Sequence, residues 1–158
     1  MDIYDIFFFA STMWVGPFWI AMLVYPHHKL TEKIMSLHWS FMGPIIIWLM
    51  IVISDPSGMI DAGNNMLEDG FKIENIMNSL VELLGTRAGA SAAWAHMVAG
   101  DIFITRWMWR RCLEFESEDW VRWVSVFFGV MLMPIGVILH ILLTRSCLLY
   151  TSPSPRDQ

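Results

Sequence analysis

The segment that most constrains the fold covers residues 86–110, with the sequence TRAGASAAWAHMVAGDIFITRWMWR. It is long and apolar enough to cross a bilayer as a helix, and its first half is rich in small residues that let neighbouring helices approach closely. It nevertheless carries His96 and Asp101 near its middle. An ionised side chain at that depth costs free energy unless it faces a bundle interior, a partner or water. The segment therefore predicts the central helix of a membrane bundle.

Four apolar segments of suitable length predict four membrane-spanning helices, and 56% of the residues are hydrophobic while 16% are charged. The predicted spans cover about residues 4–25, 37–54, 88–109 and 121–143. Residues 55–70 are rich in Gly, Asn, Asp and Pro and predict a loop. Residues 71–84 gather apolar side chains on one face, which predicts an amphipathic helix, either in the membrane interface or packed on the bundle.

The predicted fold class is all-α: an integral membrane four-helix bundle with an additional interfacial amphipathic helix, formed as a single domain by residues 1–145. The tail 146–158 has no periodicity and resembles a translated sequencing adaptor, with a native disordered Ser/Pro tail as the alternative. We expect it to lie outside the folded domain. The positive-inside rule places the two short basic loops on the cytoplasmic or stromal side. Their basic residues are Lys29, Lys33, Arg106, Arg110, Arg111 and Arg122.

Several classes of function are disfavoured by the sequence. The net charge is −5 and no basic stripe is interleaved with aromatic residues, which argues against nucleic acid as a partner. Neither of the two cysteines belongs to a zinc-binding pattern, and no phosphate-binding or dinucleotide-binding motif is present. Three histidines fall at different predicted depths, which disfavours a haem held by two of them: His38, His96 and His140. We therefore expect no metal and no cofactor. The predicted spans make membrane lipid an expected partner.

The candidate functional residues begin with the two ionisable side chains of the central helix. Asp101 shares a helix face with Trp94 and Thr105, whereas His96 lies about 140° around the axis from Asp101. Asp101 is either a catalytic or substrate-binding carboxylate or a structural partner of an Arg or Trp, and His96 is either functional or a core histidine. Three predicted spans also contain a proline, which frees a backbone carbonyl and marks either an ordinary kink or a polar cavity. These prolines are Pro17, Pro44 and Pro134.

Three separated pieces of the chain resemble a known family. The first is Pro17-Phe18-Trp19 with Pro26, Thr31 and Lys33; the second is residues 91–96, SAAWAH, with Asp101, Phe103 and Arg106; the third is Pro134, Gly136 and His140 with Thr144-Arg145. Together, over about residues 12–145, they resemble the abscisic-acid-deficient-four-like proteins, which are four-span membrane proteins. Plant members of this family are linked to the formation of neoxanthin from violaxanthin in plastids.

The resemblance implies a carotenoid substrate and an isomerisation, in which one epoxide of violaxanthin opens and a proton leaves the polyene to form an allene. Such a reaction needs an acid and a base but no redox cofactor. Asp101 is then the candidate acid, and His96 or His140 the candidate base. The candidate substrate contacts are Trp94, Trp19, Arg106 and Pro134.

The alternative implied by the resemblance is a non-catalytic carotenoid-binding or scaffold subunit, which holds pigment for a carotenoid enzyme or pigment–protein partner. Family members occur in algae as well as in bacteria. The expected location is therefore a plastid membrane, thylakoid or envelope, for an algal protein and the plasma membrane for a bacterial one.

Overall fold

The computed structural model describes residues 2–36, 38–68 and 72–150, without the side chains of residues 59, 62, 63, 65, 66, 68 and 145–150. These residues form helices joined by turns, with no strand among them, which confirms the all-α prediction. In chain order the helices are α1 (Ile3–Val24), α2 (Lys29–Ser36), α3 (Trp39–Ser54), α4 (Pro56–Glu68), α5 (Ile73–Gly85), α6 (Arg87–Glu114), α7 (Asp119–Met131) and α8 (Met133–Tyr150).

Contacts divide the chain into two compact units. The first unit comprises Met1–Val15 and Phe41–Ala99, and the second comprises Gly16–Ser40 and Gly100–Gln158. Helices α1, α3 and α6 contribute residues to both units. Helices α4 and α5 belong to the first unit, and α2, α7 and α8 belong to the second.

The loop predicted over residues 55–70 is wrong where the structure describes this segment, because Pro56–Glu68 forms α4. A proline at the first helical position is favourable, since the N–H that it lacks would have no partner there. Helix α4 packs against α5, and a Cβ atom added at Gly58 would lie 3.6 Å from Leu83 Cδ1. Packing of this kind stabilises a helix despite the low intrinsic propensity of its glycines and asparagines.

Helix α5 confirms the helix predicted over residues 71–84, and its residues are Ile73–Gly85; residue 71 lies outside the described residues. The apolar face is turned outward, because Ile73 is 85% exposed and Met77 57% exposed, whereas Ser79 is buried. A helix on a water-soluble protein has the opposite pattern. Whether α5 lies in a membrane interface stays a prediction.

The single helix predicted across residues 121–143 is also wrong, because α7 ends at Met131 and α8 begins at Met133. Leu132, between them, has φ −151° and ψ 72° and interrupts the helix. The chain reverses there, so that a Cβ atom added at Gly136 would lie 2.5 Å from the backbone nitrogen of Gly129. Pro134 stands in the first turn of α8 and therefore starts a helix instead of kinking one. Helices α7 and α8 form an antiparallel hairpin.

Two of the remaining predicted boundaries also differ from the structure. Helix α8 continues to Tyr150, so residues 146–150 of the predicted tail are helical, whereas residues 151–158 lie outside the described residues. The second predicted span begins at residue 37, which is likewise not described, and its described part begins with α3 at Trp39.

Two stretches among the described residues are long and apolar enough to cross a membrane: Ile3–Val24, and Lys29–Ser54, which takes in α2 and α3. This finding concerns length and composition, and signal sequences and the core helices of soluble proteins share both features. Helix α6 has 28 residues and is continuous, but the charged residues Asp101 and Arg106 interrupt its apolar sequence. A bundle of four spans is therefore not established by these helices.

Candidate active site

Two buried polar side chains and one partly exposed tryptophan surround His140 of α8 in the second unit, and His140 itself is only 2% exposed. The Nδ1 atom of His140 lies 3.1 Å from Ser125 Oγ on α7 and 3.7 Å from Cys112 Sγ on α6. The indole ring of Trp107 lies edge-on to the imidazole ring, with 5.4 Å between the ring centroids. Three helices thus meet at one imidazole ring, and we name these four residues the His140 cluster.

The cluster forms because glycines let α6, α7 and α8 approach closely. A Cβ atom added at Gly129 would lie 2.5 Å from Thr105 Oγ1 and 2.5 Å from Met108 Cε, both on α6. On its other side, the backbone of Gly129 faces Gly136 of α8. Small residues at such crossings bring helix backbones together and allow side chains one or two turns away to meet. Ser125 and His140 lie one turn beyond this glycine pair.

Two buried arginines lie in the same unit. Arg122 of α7 is 5% exposed, and its guanidinium donates to the carboxylate of Asp119 at 2.6 Å. Arg106 of α6, a predicted substrate contact, is 7% exposed and donates from Nη2 to the backbone oxygen of Ser36 at 3.5 Å. Buried cations of this kind require polar partners, because the charge is otherwise left without solvation. The Arg106 hydrogen bond therefore links α6 to the end of α2, whereas the Arg122–Asp119 ion pair lies within the first turn of α7.

Asp101, the candidate acid, is half-buried on α6. Its backbone oxygen accepts a hydrogen bond from Thr105 Oγ1 at 2.6 Å, but its carboxylate has no polar partner among the described residues. A structural role through an Arg or Trp side chain is therefore not supported by these residues. On the same helix, Trp107 follows six residues later and Cys112 eleven residues later, which is about 9 Å and about 17 Å along the axis at 1.5 Å per residue. The structure consequently does not bring Asp101 into the His140 cluster.

Trp19 and Pro134, two predicted substrate contacts, also belong to the second unit. The indole Nε1 of Trp19 donates to the backbone oxygen of Val126 at 3.2 Å, and its ring lies 5.8 Å from that of Phe127. Trp19 therefore packs on α7 beside Ser125. Pro134 is exposed at the start of α8 and does not contact His140.

The first unit contains His96 and Trp94. His96 is exposed, and its ring lies 6.4 Å from that of Trp48. Trp94 is held more firmly, because its Nε1 donates to Thr12 Oγ1 at 2.8 Å and its ring lies 4.9 Å from that of Phe8. The structure leaves His96 without a polar partner among the described residues, whereas Trp94 lines a cavity.

That cavity, which we name the Trp94 pocket, has a volume of about 450 Å³. Its wall is apolar except at one end, where Arg87 Nη1 donates to Asp5 Oδ1 at 2.8 Å. Both of these charged side chains are largely exposed. The pocket is lined by Asp5, Phe8, Arg87, Ala90, Ser91, Ala93, Trp94 and Met97. Such a shape suits an apolar ligand whose end carries a hydroxyl group.

Sequence reasoning singled out His140 but missed Ser125 and Cys112. The only signal was a serine within the apolar run of α7 and a cysteine at the end of the central helix. Neither belongs to a recognisable motif, and their common partner becomes visible only once α7 and α8 are seen to fold back on each other. The structure thus brings together one predicted site residue and two that were not predicted.

Comparison with known proteins gives two matches. A family model described as ABA DEFICIENT 4-like matches residues 6–140, which is most of the chain. The protein ABA DEFICIENT 4, chloroplastic, of Arabidopsis thaliana is 22% identical over 135 residues, covering 84% of this chain and 58% of that relative. The chain therefore spans less than two thirds of the length of the curated relative it matches. No solved structure matches.

Proposed function

The chain belongs to the ABA DEFICIENT 4-like family, and from that premise we propose that it is an integral membrane protein that isomerises violaxanthin to neoxanthin. Membership of this family supports a xanthophyll epoxide as the proposed substrate class. The observation that carries the catalytic part of the proposal is the His140 cluster, in which the buried His140 imidazole and Cys112 thiol lie 3.7 Å apart.

Location in a membrane is supported by the distribution of polar and apolar side chains. Large apolar residues are exposed along α1 and α3, with Phe9 57% and Ile53 76% exposed, whereas Ser11 and Ser40 are buried. Hydrocarbon favours this arrangement and water disfavours it. We propose a plastid membrane, thylakoid or envelope, because the Arabidopsis relative is chloroplastic; the bacterial plasma membrane is the counterpart for a prokaryotic host. The short basic segments then face the stroma or cytoplasm.

The proposed reaction is balanced without an oxidant or reductant. One C–O bond of the epoxide breaks, the oxygen gains a proton and becomes a hydroxyl, and the adjoining polyene carbon loses a proton as the allene forms. Catalysis therefore requires one group that donates a proton or hydrogen bond to the oxygen and one that accepts the carbon-bound proton. His140 and Cys112 are both able to exchange protons, and we propose that they divide these two steps.

Asp101 has a different role in this proposal. It lies about 9 Å along α6 from Trp107 and about 17 Å from Cys112, and its carboxylate contacts neither His140 nor Ser125 among the described residues, so we do not assign it to the epoxide oxygen. A xanthophyll is elongated, so one bound molecule can contact the cluster with one end while another part of it passes Asp101. Asp101 is accordingly proposed as a ligand contact, together with Trp19 and Arg106, and not as the acid for the epoxide.

The experiment that tests this proposal is expression of the full chain in cells that accumulate violaxanthin, followed by chromatography of the extracted pigments. We expect neoxanthin with the wild-type chain and none with His140→Gln. Cys112→Ala should also abolish or strongly reduce it. Asp101→Asn should retain measurable product. Loss of neoxanthin with Asp101→Asn alone, at normal protein abundance, would overturn this division of roles.

A second function, a non-catalytic carotenoid-binding or scaffold subunit, is favoured by the Trp94 pocket. Phe8 and Trp94 offer aromatic surfaces to a polyene or end ring, and the ion pair of Asp5 and Arg87 offers a donor and an acceptor to a ring hydroxyl. No histidine lines this pocket. A subunit that holds pigment for a carotenoid enzyme needs only such a site, and it would bind xanthophyll without changing it.

A further inference from the structure

The hydrogen of the Ser125 hydroxyl determines which nitrogen of His140 carries a proton. Ser125 is fully buried, and a buried hydroxyl that donates no hydrogen bond lowers stability. Within hydrogen-bond distance of its Oγ atom, the described residues offer one acceptor, His140 Nδ1 at 3.1 Å. Two other buried hydroxyls donate to backbone oxygens instead: Ser11 to that of Phe8 and Thr144 to that of His140.

If Nδ1 carried the proton, the Ser125 hydroxyl would have to accept it, and its own hydrogen would point at no acceptor among the described residues. If Nδ1 is unprotonated, the hydroxyl donates to it and the requirement is met. The sulfur of Cys112 lies 3.7 Å from the same nitrogen, but the single lone pair of Nδ1 accepts one hydrogen bond, and the Ser125 hydroxyl at 3.1 Å is the closer donor. In a neutral imidazole the proton then resides on Nε2.

We infer that Ser125 holds His140 as the Nε2–H tautomer, so that His140 presents a hydrogen-bond donor, and not a base, to an oxygen atom of the ligand. Ser125 acts through His140 and is a positioning residue. The inference about the tautomer depends only on the contacts of the His140 cluster. The inference that the ligand oxygen belongs to an epoxide depends on the proposed function. In that function, Nε2–H donates a hydrogen bond to the oxygen as the C–O bond breaks. The thiolate form of Cys112 accepts the proton that leaves the polyene, and the same proton then passes to the alkoxide oxygen, so that both side chains return to their starting states.

The experiment is ¹⁵N NMR of the full chain, with histidine labelled at both ring nitrogens, in lipid nanodiscs at about pH 8, above the ordinary titration range of histidine. The chain has five histidines, and the His140 signals are those that His140→Gln removes. We expect an unprotonated Nδ1 and a protonated Nε2 in the wild-type protein. A protonated Nδ1 there would overturn the inference without any variant.

Variants separate positioning from a general loss of structure. Ser125→Ala should shift His140 partly or wholly to the Nδ1–H tautomer, and Ser125→Thr, which keeps the hydroxyl, should restore the wild-type signals. The matched control is Thr144→Val, because the hydroxyl of Thr144 contacts the backbone and not the ring of His140. In this variant the His140 ring signals should be the same as in the wild type. An unchanged Nε2–H tautomer in folded Ser125→Ala would contradict the role of Ser125.

Ligand addition tests the donor role. Violaxanthin should shift the Nε2 signal of His140, whereas zeaxanthin, which has the same skeleton and ring hydroxyls but no epoxide, should leave it in place. Equal shifts with both pigments would overturn the assignment of the oxygen. If the tautomer is as inferred but no neoxanthin is formed, the proposed catalysis fails while the role of Ser125 stands, so the two failures are distinguishable.

Discussion

Ser125 Oγ and His140 Nδ1 lie 3.1 Å apart although fifteen residues separate them along the chain. In one continuous helix these residues would be about 22 Å apart along the axis. The contact therefore depends on the reversal of the chain at Leu132. A segment that looks like a membrane span thus folds into a hairpin with an imidazole and a hydroxyl enclosed between its arms.

The hairpin predicts a short distance between the far ends of α7 and α8. Spin labels at Trp120→Cys and Leu142→Cys, both exposed positions, would be about 33 Å apart along a single straight helix. Packed helices have axes about 8–10 Å apart, so the hairpin predicts less than half the straight-helix distance. Pulsed electron paramagnetic resonance measures this distance in a variant whose native cysteines are replaced by alanine. A distance distribution centred on the straight-helix value would contradict the hairpin and support a single helix across residues 121–143.

The close approach of the two arms predicts that Gly136 does not tolerate a side chain. Gly136→Ala places a Cβ atom 2.5 Å from the backbone nitrogen of Gly129, which cannot move aside as a flexible side chain can. We expect it to lower the free energy of unfolding by about 1–3 kcal/mol, measured by thermal unfolding in detergent.

Gly100→Ala is the matched control for this substitution, because a Cβ atom at Gly100 meets nothing within 4 Å. It should leave stability unchanged or raise it by about 0.5–1 kcal/mol, since alanine is the better helix former. Equal effects of the two substitutions would contradict the packing of α7 on α8.

The Trp94 pocket predicts selective binding of hydroxylated pigment. Removing the guanidinium in Arg87→Ala should weaken the binding of zeaxanthin several-fold and leave the binding of β-carotene, which has no hydroxyl, unchanged. Quenching of tryptophan fluorescence measures both. Lys72→Ala, at another exposed cation outside the pocket, should change neither affinity. An equal loss for the two pigments would show that Arg87 does not recognise a hydroxyl group.

Parts of the fold could be predicted from the sequence where one physical signal dominates. Apolar length indicated α1, and helical periodicity indicated α5. Helix α4 was missed because the glycines and asparagines of residues 55–70 usually form loops, and only packing on α5 overrides that preference. The hairpin was missed because the residues beside Leu132 are as apolar as the arms, and Pro134 was interpreted as a kink or cavity marker within one span instead of the start of a new helix.

The candidate site was predictable only in part for the same reason. His140 is conspicuous as an ionisable residue in an apolar segment, but Ser125 and Cys112 gain their meaning from contacts across three helices. The sequence assigned the acid to Asp101 and a base to His96 or His140. Along α6, Asp101 lies about 9 Å from Trp107 and about 17 Å from Cys112 of the His140 cluster, and the hydrogen bonding of Ser125 favours His140 as a donor.

The central claim is that the chain itself converts an epoxide to an allene at His140. The most direct measurement is incubation of the purified full chain in nanodiscs with violaxanthin as the only added compound, followed by chromatography. We predict formation of neoxanthin, lowered roughly 10²–10⁴-fold by His140→Gln, as expected for an acid–base group, and unchanged by His27→Gln at an exposed histidine. Violaxanthin that is bound but recovered unchanged would contradict the claim and favour the carotenoid-binding subunit.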